Sequence, residues 1–252
     1  MEMEGFVAHD LAATVEIRLV ADIPALPAAL DKEIDRIWQI ATAHAAAGGA
    51  GSLFNGRVFS ADVIAPGRVS GHMTEFRQIV AQMQRPDLFP ALRVRPLAVC
   101  GVLRCAGGVV VGRRHPDAVY QPGQWQLPPA GSVDEHALHA DGQIDPVRQI
   151  HTELAEELGI EAAEVDTPHP LCIVEHPGSH VCDLGMAMTT KLPGEEVLAR
   201  HRQSGNDEYD PLLVVAEVKL AAYLATLGPA LVPPAPIFLA RAGILAVGIE
   251  EH

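Results

Sequence analysis

Positive charge is scarce in this chain of 252 residues: 18 Lys and Arg stand against 32 Asp and Glu, for a formal net charge of −14. A surface of that sign repels the phosphates of nucleic acid and of anionic membranes, so neither is expected as a partner. It also repels an anionic small molecule unless a cation or a local group of arginines intervenes. Cysteine is sparse too. Cys100, Cys105, Cys172 and Cys182 form no Cys-x-x-Cys pair and read as reduced core residues of a cytosolic protein. A zinc site is not expected, because His136 and His139 have no cysteine or second histidine pair at ligand spacing. No apolar stretch reaches the length of a membrane span. No basic region followed by an apolar run opens the sequence, so no signal peptide is expected and the cytoplasm is the expected compartment.

What is present is an ordinary globular composition, 48% apolar and 20% charged, long enough for one large domain or two small ones. Two regions separate at about residue 92. In the first, residues 1–92, Val15, Ile17 and Leu19 alternate with Glu16 and Arg18 at the period of a half-buried strand. Leu30, Ile34, Ile37, Ala41 and Ala45 then recur at helical spacing, with Trp38 flanking the stripe. Gly48-Gly49-Ala50-Gly51 ends this helix; with no Lys-Ser or Lys-Thr behind it, the stretch reads as a connector and not as a phosphate loop. Val58 to Ile64 reads as a strand. Thr74 is placed to cap a helix carrying Phe76, Ile79, Val80 and Met83, which Arg85-Pro86-Asp87 stops. The region reads as a small α+β module without a constellation of acids, bases or nucleophiles.

The second region, residues 93–252, opens with two apolar strands, Leu97 to Leu103 and Val109 to Val111, joined at Ala106-Gly107-Gly108. A polar stretch rich in Pro and Gly runs from Arg113 to Gly131, and a helix follows that ends at Leu158-Gly159-Ile160. Leu171 to Val174, Gly185 to Leu192 and Leu212 to Val218 are strand candidates, and Leu220 to Leu227 a short helix. His201 to Asp210 reads as a polar loop. Ile237, Ala240, Ile244 and Val247 suggest a terminal helix. The mixture predicts an α/β layered domain.

The chemistry is concentrated in Glu153-Leu154-Ala155-Glu156-Glu157-Leu158-Gly159-Ile160. On a helix, positions i, i+3 and i+4 share a face, so Glu153, Glu156 and Glu157 project together. Three like charges on one face repel, and a divalent cation turns that repulsion into ligation; oxygen donors of this kind suit magnesium or manganese. Ile150, Leu154 and Leu158 supply the apolar stripe, and Gly159 the stop. Upstream, Trp125-Gln126-Leu127-Pro128-Pro129-Ala130-Gly131 is a tight turn able to present backbone N–H groups, and Arg113 and Arg114 are candidates to fork onto phosphate oxygens.

This arrangement resembles the Nudix box: Gly, five residues, Glu, seven residues, then Arg-Glu-φ-x-Glu-Glu-x-Gly-φ, with φ aliphatic. Glu153 through Ile160 match its second half without a gap, and Trp125 to Gly131 looks like its opening turn, with Gly131 in the glycine position. Two departures stand out. Thr152 occupies the box arginine position, where Arg148, one turn earlier, is the nearest substitute. Gly131 also lies 22 residues before Glu153, about seven more than the pattern has. An expanded box behind an α+β front module is similar to the Nudix UDP-glucose/UDP-galactose diphosphatases. Leu53-Phe54-Asn55-Gly56, Phe59 and Thr74-Glu75-Phe76 look like that subfamily's front module.

The resemblance implies an α/β/α sandwich with a mixed sheet. It also implies a magnesium site at Glu153, Glu156 and Glu157, with manganese as a substitute. The metal would bridge a diphosphate and help generate the nucleophile. A further acid from a later loop, among Asp207, Glu208 and Asp210 and by preference Glu208, would join as ligand or general base. Glu153, Glu157 and Glu208 are then the catalytic candidates, and Arg113, Arg114, Trp125 and Gly131 those for substrate. The substrate would be a nucleotide sugar, with UDP-glucose split to UMP and glucose 1-phosphate. A homodimer is compatible with the front module. Three rivals stand beside this reading: a Nudix enzyme acting on an ADP-sugar, a dinucleotide or coenzyme A, a degenerate Nudix domain that binds a nucleotide without cleaving it, and a purely structural acidic protein.

Overall fold

A computed structural model describes residues 5–48, 53–204 and 206–246. The chain sorts into two compact units. The first holds Met1–Ala98, Ser132–Gln149 and Ile173–Leu184; the second holds Val99–Gly131, Ile150–Cys172 and Gly185–His252. The class is α/β, as expected, with a large mixed sheet and, among the described residues, seven α-helices.

In the first unit, β1 (Val7–Asp10) and β2 (Glu16–Ala21) precede a long helix α1 (Ala28–Gly48). Then come β3 (Arg57–Ala65), β4 (Arg68–Glu75), α2 (Phe76–Gln84) and the single turn α3 (Phe89–Leu92). A three-stranded sheet has the order β2-β4-β3. β2 runs parallel to β4 with Ile17 beside Val69, and β3 antiparallel to β4 with Phe59 beside Met73. A parallel pair needs a crossover, and α1 lies in the connection that carries the chain from β2 on to β3. The stripe anticipated from spacing is the one that is buried. Ile34 and Ile37 of α1 join Val58, Ile79, Ala81, Leu92 and Val94 in one core, with Leu30 and Phe76 packed against it. Trp38 meets Phe76 edge to face at 6.1 Å. The expected glycine connector lies partly outside the described residues; α1 itself runs to Gly48.

The expectation that Thr74 caps the following helix is corrected. Thr74 is a buried residue of β4, and its hydroxyl donates to Gln78 Oε1 at 3.1 Å. Asn55 does the capping from across the chain: its Oδ1 accepts from the Arg77 N–H at 2.8 Å, satisfying a helix-start donor. Arg77 in turn reaches Asp31 and Asp35 of α1 at 2.8 and 2.7 Å and Glu75 at 2.7 Å. These carboxylates hold its guanidinium pKa above the ordinary value even though burial works against the charge.

The remaining elements are β5 (Leu97–Ala106), β6 (Gly108–Arg114), β7 (Trp125–Gln126), β8 (Ala130–Ser132) and α4 (Pro146–Leu158). β9 (His169–Glu175), β10 (Cys182–Pro193), α5 (Gly194–Ser204), β11 (Tyr209–Val215), α6 (Glu217–Leu227) and α7 (Pro234–Arg241) follow. The larger sheet has the order β1-β9-β10-β5-β6-β11, with β7 on β6 and β8 on β5. β11 is the last strand of that path, where Pro211 with its missing N–H is tolerated. Its antiparallel register with β6 sets Leu213 beside Val111 and, across an irregularity, Tyr209 beside Arg114. Ile150, Leu154 and Leu158 of α4 are wholly buried, as their spacing predicts.

Three boundaries differ from expectation. The polar loop assigned to 201–210 is in part the helix α5, whose first turn carries Glu195 and Glu196 and whose last carries His201 and Arg202. Those charges suit the two ends of the helix dipole. The last strand ends at Val215, because α6 already starts at Glu217. The terminal helix stops at Arg241 and does not reach Ile244; Val247 lies outside the described residues. No helix among the described residues is long and apolar enough to cross a membrane.

Replacing the wholly buried Ile34 by Ala removes packing at the centre of the first unit's core. The expected loss of stability is about 2–5 kcal/mol. Urea unfolding followed by circular dichroism checks it; a loss well under 1 kcal/mol would show that α1 is not held by this stripe.

Candidate functional site

All the side chains that carry chemistry here belong to the second unit. Helix α4 presents the three glutamates, but not equally. Glu156 is exposed and Glu153 half-buried, whereas Glu157 is only 1% exposed. Its Oε2 accepts from the Ala130 N–H at 3.0 Å. Its Oε1 is buried and has no hydrogen-bond partner. Burial pushes the Glu157 carboxyl well above the ordinary glutamate range, and the charges of Glu208 and then Glu153 push it further. The structure thus turns the fields of Glu153 and Glu208 onto Glu157, while Glu156 points to solvent.

Local sequence explains how this comes about. The apolar stripe of α4 faces inward, and Glu157 lies between the buried Leu154 and Leu158. Gly159 adopts a φ of 64°, the left-handed turn that glycine makes free of a Cβ clash, and closes the helix. At β8, Gly131 is required by space. A Cβ built there would stand 2.0 Å from Glu153 Oε1 and 2.2 Å from its Cδ. The glycine of the opening turn is therefore what lets the Glu153 carboxylate lie against the backbone.

Glu208 sits just before β11. Its N–H donates to Asn206 Oδ1 at 2.8 Å, and its carbonyl accepts from the His115 N–H at 2.8 Å. Its carboxylate approaches Arg114 at 3.5 Å. Arg114 is half-buried, and its Nε is a buried donor without a partner. Arg113 is different: it is exposed, and its Nε donates to the Gly123 carbonyl at 3.0 Å. Trp125 is half-buried with its ring edge-on to Tyr223 at 5.9 Å. Asp207 and Asp210 are exposed.

Two residues that the sequence does not mark as part of the site belong here. Tyr209 is fully buried beside Glu208 in the chain and receives a hydrogen bond on its hydroxyl from Gln126 Nε2. Burial, followed by the charges of Glu157 and Glu208, raises the Tyr209 phenol well above its ordinary value. His201 is buried on α5 between the carbonyls of Glu157 and Tyr209. The available signal for His201 was its spacing of four from Val197, the other buried residue of that helix.

Hard oxygen donors, one of them buried and orphaned, fit a divalent cation. Glu153, Glu157 and Glu208 are the residues that could hold it. No group of three or more His, Cys, Asp or Glu among the described residues is gathered at ligand distance as it stands.

No family model and no curated protein matches the chain. Among solved structures, a Nudix hydrolase of M. smegmatis, RenU, is similar with a TM-score of 0.40 and 19% identity, covering 63% of this chain and 89% of that one. DR0079 of Deinococcus radiodurans gives 0.38 and 16%, covering 57% and 82%. A MutT protein of Methanosarcina mazei Go1 gives 0.35 and 17%, covering 59% and 89%. At these scores the likeness assigns no function.

Two outcomes follow from the geometry. Below the ordinary glutamate value of 4.5, Glu157 is protonated in both folded and unfolded chains and costs nothing. As the pH rises above that value the unfolded chain ionises first, so metal-free stability falls until the raised folded pKa is passed. Calorimetry in EDTA across this range is expected to show a decline in thermal midpoint that Glu157→Gln reduces. Equal slopes in the two proteins would show that Glu157 is not the buried acid responsible. In the second experiment, Gly131→Ala is expected to fold but to bind Mn²⁺ about 10-fold more weakly, because the new methyl displaces the Glu153 carboxylate. An unchanged affinity in an electron paramagnetic resonance titration would show that Glu153 does not act from that position.

Proposed function

We propose that the chain is a metal-dependent hydrolase of a nucleoside diphosphate-linked substrate, of the Nudix type. The observation that carries this reading is the buried Glu157 carboxylate, one oxygen on the Ala130 N–H and the other without a partner, with Glu153 and Glu208 acting on it. A carboxylate taken out of water and left half-satisfied is costly unless a cation completes it. The pattern from Glu153 to Ile160 is independent support, since it rests on the sequence alone.

Mg²⁺, or Mn²⁺ in its place, would be held by Glu153 and Glu157, with Glu156 or Glu208 joining. When bound, such an ion neutralises diphosphate charge and lowers the pKa of a bound water. The chain's own residues do the rest. The Ala130 N–H fixes one oxygen of Glu157 and so aims the other. Gly131 leaves room for Glu153 to approach. Arg114, with its buried unpartnered Nε, is the cation placed to meet a phosphate oxygen, and its contact with Glu208 ties it to the acids. Arg113 would serve at the exposed rim. Trp125 borders the substrate as a packing surface beside Tyr223. Glu208 is the acid positioned to accept a proton or to take a ligand place.

The finer proposal is a UDP-sugar, UDP-glucose or UDP-galactose, cleaved to UMP and sugar 1-phosphate in the cytoplasm. Its support is the front-module pattern, of which Asn55, Glu75 and Phe76 cooperate around the start of α2. Thr152 in place of the box arginine and the exposure of Glu156 favour a second reading, nucleotide binding without cleavage.

Incubation with Mg²⁺ and a panel of UDP-glucose, UDP-galactose, ADP-ribose, ADP-glucose, diadenosine polyphosphates and coenzyme A tests both. Release of UMP from the UDP-sugars is expected, reduced on the order of 100-fold or more by Glu157→Gln. Cleavage of another member discards the uridine proposal and keeps the hydrolase. Binding without cleavage of any member establishes the second reading.

A further inference from the structure

The acids of the proposed site come from two separate segments. Glu153 and Glu157 are on α4; Glu208 precedes β11. Like charges do not hold each other in place, so something else must keep these segments together. Arg114 does part of this, but its closest approach to Glu208 is 3.5 Å.

One side chain spans both segments directly. His201 Nδ1 lies 2.8 Å from the carbonyl oxygen of Glu157, and its Nε2 lies 3.0 Å from the carbonyl oxygen of Tyr209, the residue after Glu208. Carbonyl oxygens accept, so an imidazole carrying one N–H donates to one of the two carbonyls while its other ring nitrogen faces the second. It is 7% exposed, so water does not compete for either contact. Both contacts are to backbone, which places the residues that carry the acids without touching the acids themselves. The Glu157 carbonyl is in the last turn of α4, where the intrahelical partner of a carbonyl is missing and an outside donor can serve. From His201 the same connection continues along the chain. Its carbonyl accepts from the Ser204 hydroxyl at 2.8 Å, Ser204 Oγ accepts from the Asn206 N–H at 3.3 Å, and Asn206 Oδ1 accepts from the Glu208 N–H at 2.8 Å.

We propose that His201 is a positioning residue, a bracket between the C-terminal end of α4 and the start of β11 that sets the placement of Glu157 and Glu208 relative to each other. The inference rests on the metal-dependent reading above and goes beyond it in naming a residue that contacts neither the cation nor the substrate. Glutamine in its place keeps an amide donor for one carbonyl, as an imidazole with one N–H does, but turns an oxygen toward the other and lacks the ring's rigid span, so it restores part of the bracket. Alanine restores none.

Three variants decide the matter: His201→Ala, His201→Gln and, as a control for simple loss of packing, Leu224→Ala on α6. Each is measured for thermal midpoint, for Mn²⁺ dissociation constant by electron paramagnetic resonance, and for kcat and KM on whichever substrate the wild type cleaves. His201→Ala is expected to weaken Mn²⁺ binding by about 10-fold or more and to lower kcat comparably. KM should stay within about threefold, because the substrate contacts are untouched. His201→Gln should fall between the wild type and alanine, and Leu224→Ala should lower the midpoint alone. A His201→Ala protein that keeps the wild-type Mn²⁺ constant and kcat overturns the proposal, however much its midpoint drops, and so does a His201→Gln protein that falls below alanine in both. Failure of both His201 variants to fold with or without Mn²⁺ also overturns it, since the residue is then a requirement of the fold. A wild type that neither binds Mn²⁺ nor turns over any substrate refutes the underlying metal-dependent reading, and that result is distinct from the others.

Discussion

A half-satisfied carboxylate in a dry place is the constraint on which the candidate site depends. Glu157 gives one oxygen to the Ala130 N–H and leaves the other without a partner inside the protein. Ionising a buried carboxyl without a partner is costly, which is why burial raises the Glu157 carboxyl, and such acids are kept where function needs them or where something binds. The charges of Glu208 and Glu153 add to the cost. A packing role does not explain this, because glutamine of nearly the same shape would fill the space and leave no charge.

The surrounding structure answers to that one group. Helix α4 must be anchored by Ile150, Leu154 and Leu158 so firmly that Glu157, interleaved with them, has no route to solvent. Its neighbour Glu156, one residue along, is free to face water, and nothing comparable happens to it. β8 must present an N–H at Ala130 and, one residue later, a position with no side chain, which is what Ala130-Gly131 provides. β11 must begin opposite the end of β6, so that Arg114 and Glu208 come within reach of each other. Each requirement is met by a short local feature, and the features come from four different elements.

Much of this was legible in sequence, for a definite reason. The stripes at Leu30, Ile34 and Ile37 and at Ile150, Leu154 and Leu158 are periodic, and periodic burial is what pattern reading detects. The glutamates of α4 are legible because they fall within about one and a half helical turns, and Glu208 because it precedes a strand. What escaped was set by contacts distant in sequence. Asn55 caps a helix that starts at Phe76, so the nearer Thr74 looked like the cap. The run from His201 to Asp210 is polar enough to read as a loop, yet its first residues finish α5 and His201 faces inward. Nothing in composition distinguishes a buried histidine from a solvated one. The unequal exposure of Glu153, Glu156 and Glu157 was also beyond reach, because a helical wheel places all three on one face and says nothing of what covers that face.

The departures from the expected box become less severe when the geometry is considered. The box arginine is replaced by Thr152, which is exposed on α4. A cation that does stand near the acids is Arg114, from β6, with its guanidinium Nε buried and unpaired. It lowers the Glu157 carboxyl while Glu208 and Glu153 raise it. Likewise the residues inserted between Gly131 and Glu153 do not separate the two, since the Glu153 carboxylate still lies where a Cβ on Gly131 would be. An insertion that leaves its ends in contact costs little beyond loop-closure entropy, which grows slowly with length. The candidate site therefore rests on the spatial relation of one glycine, three glutamates and one arginine, and the linear spacing of the box is only one way of achieving it.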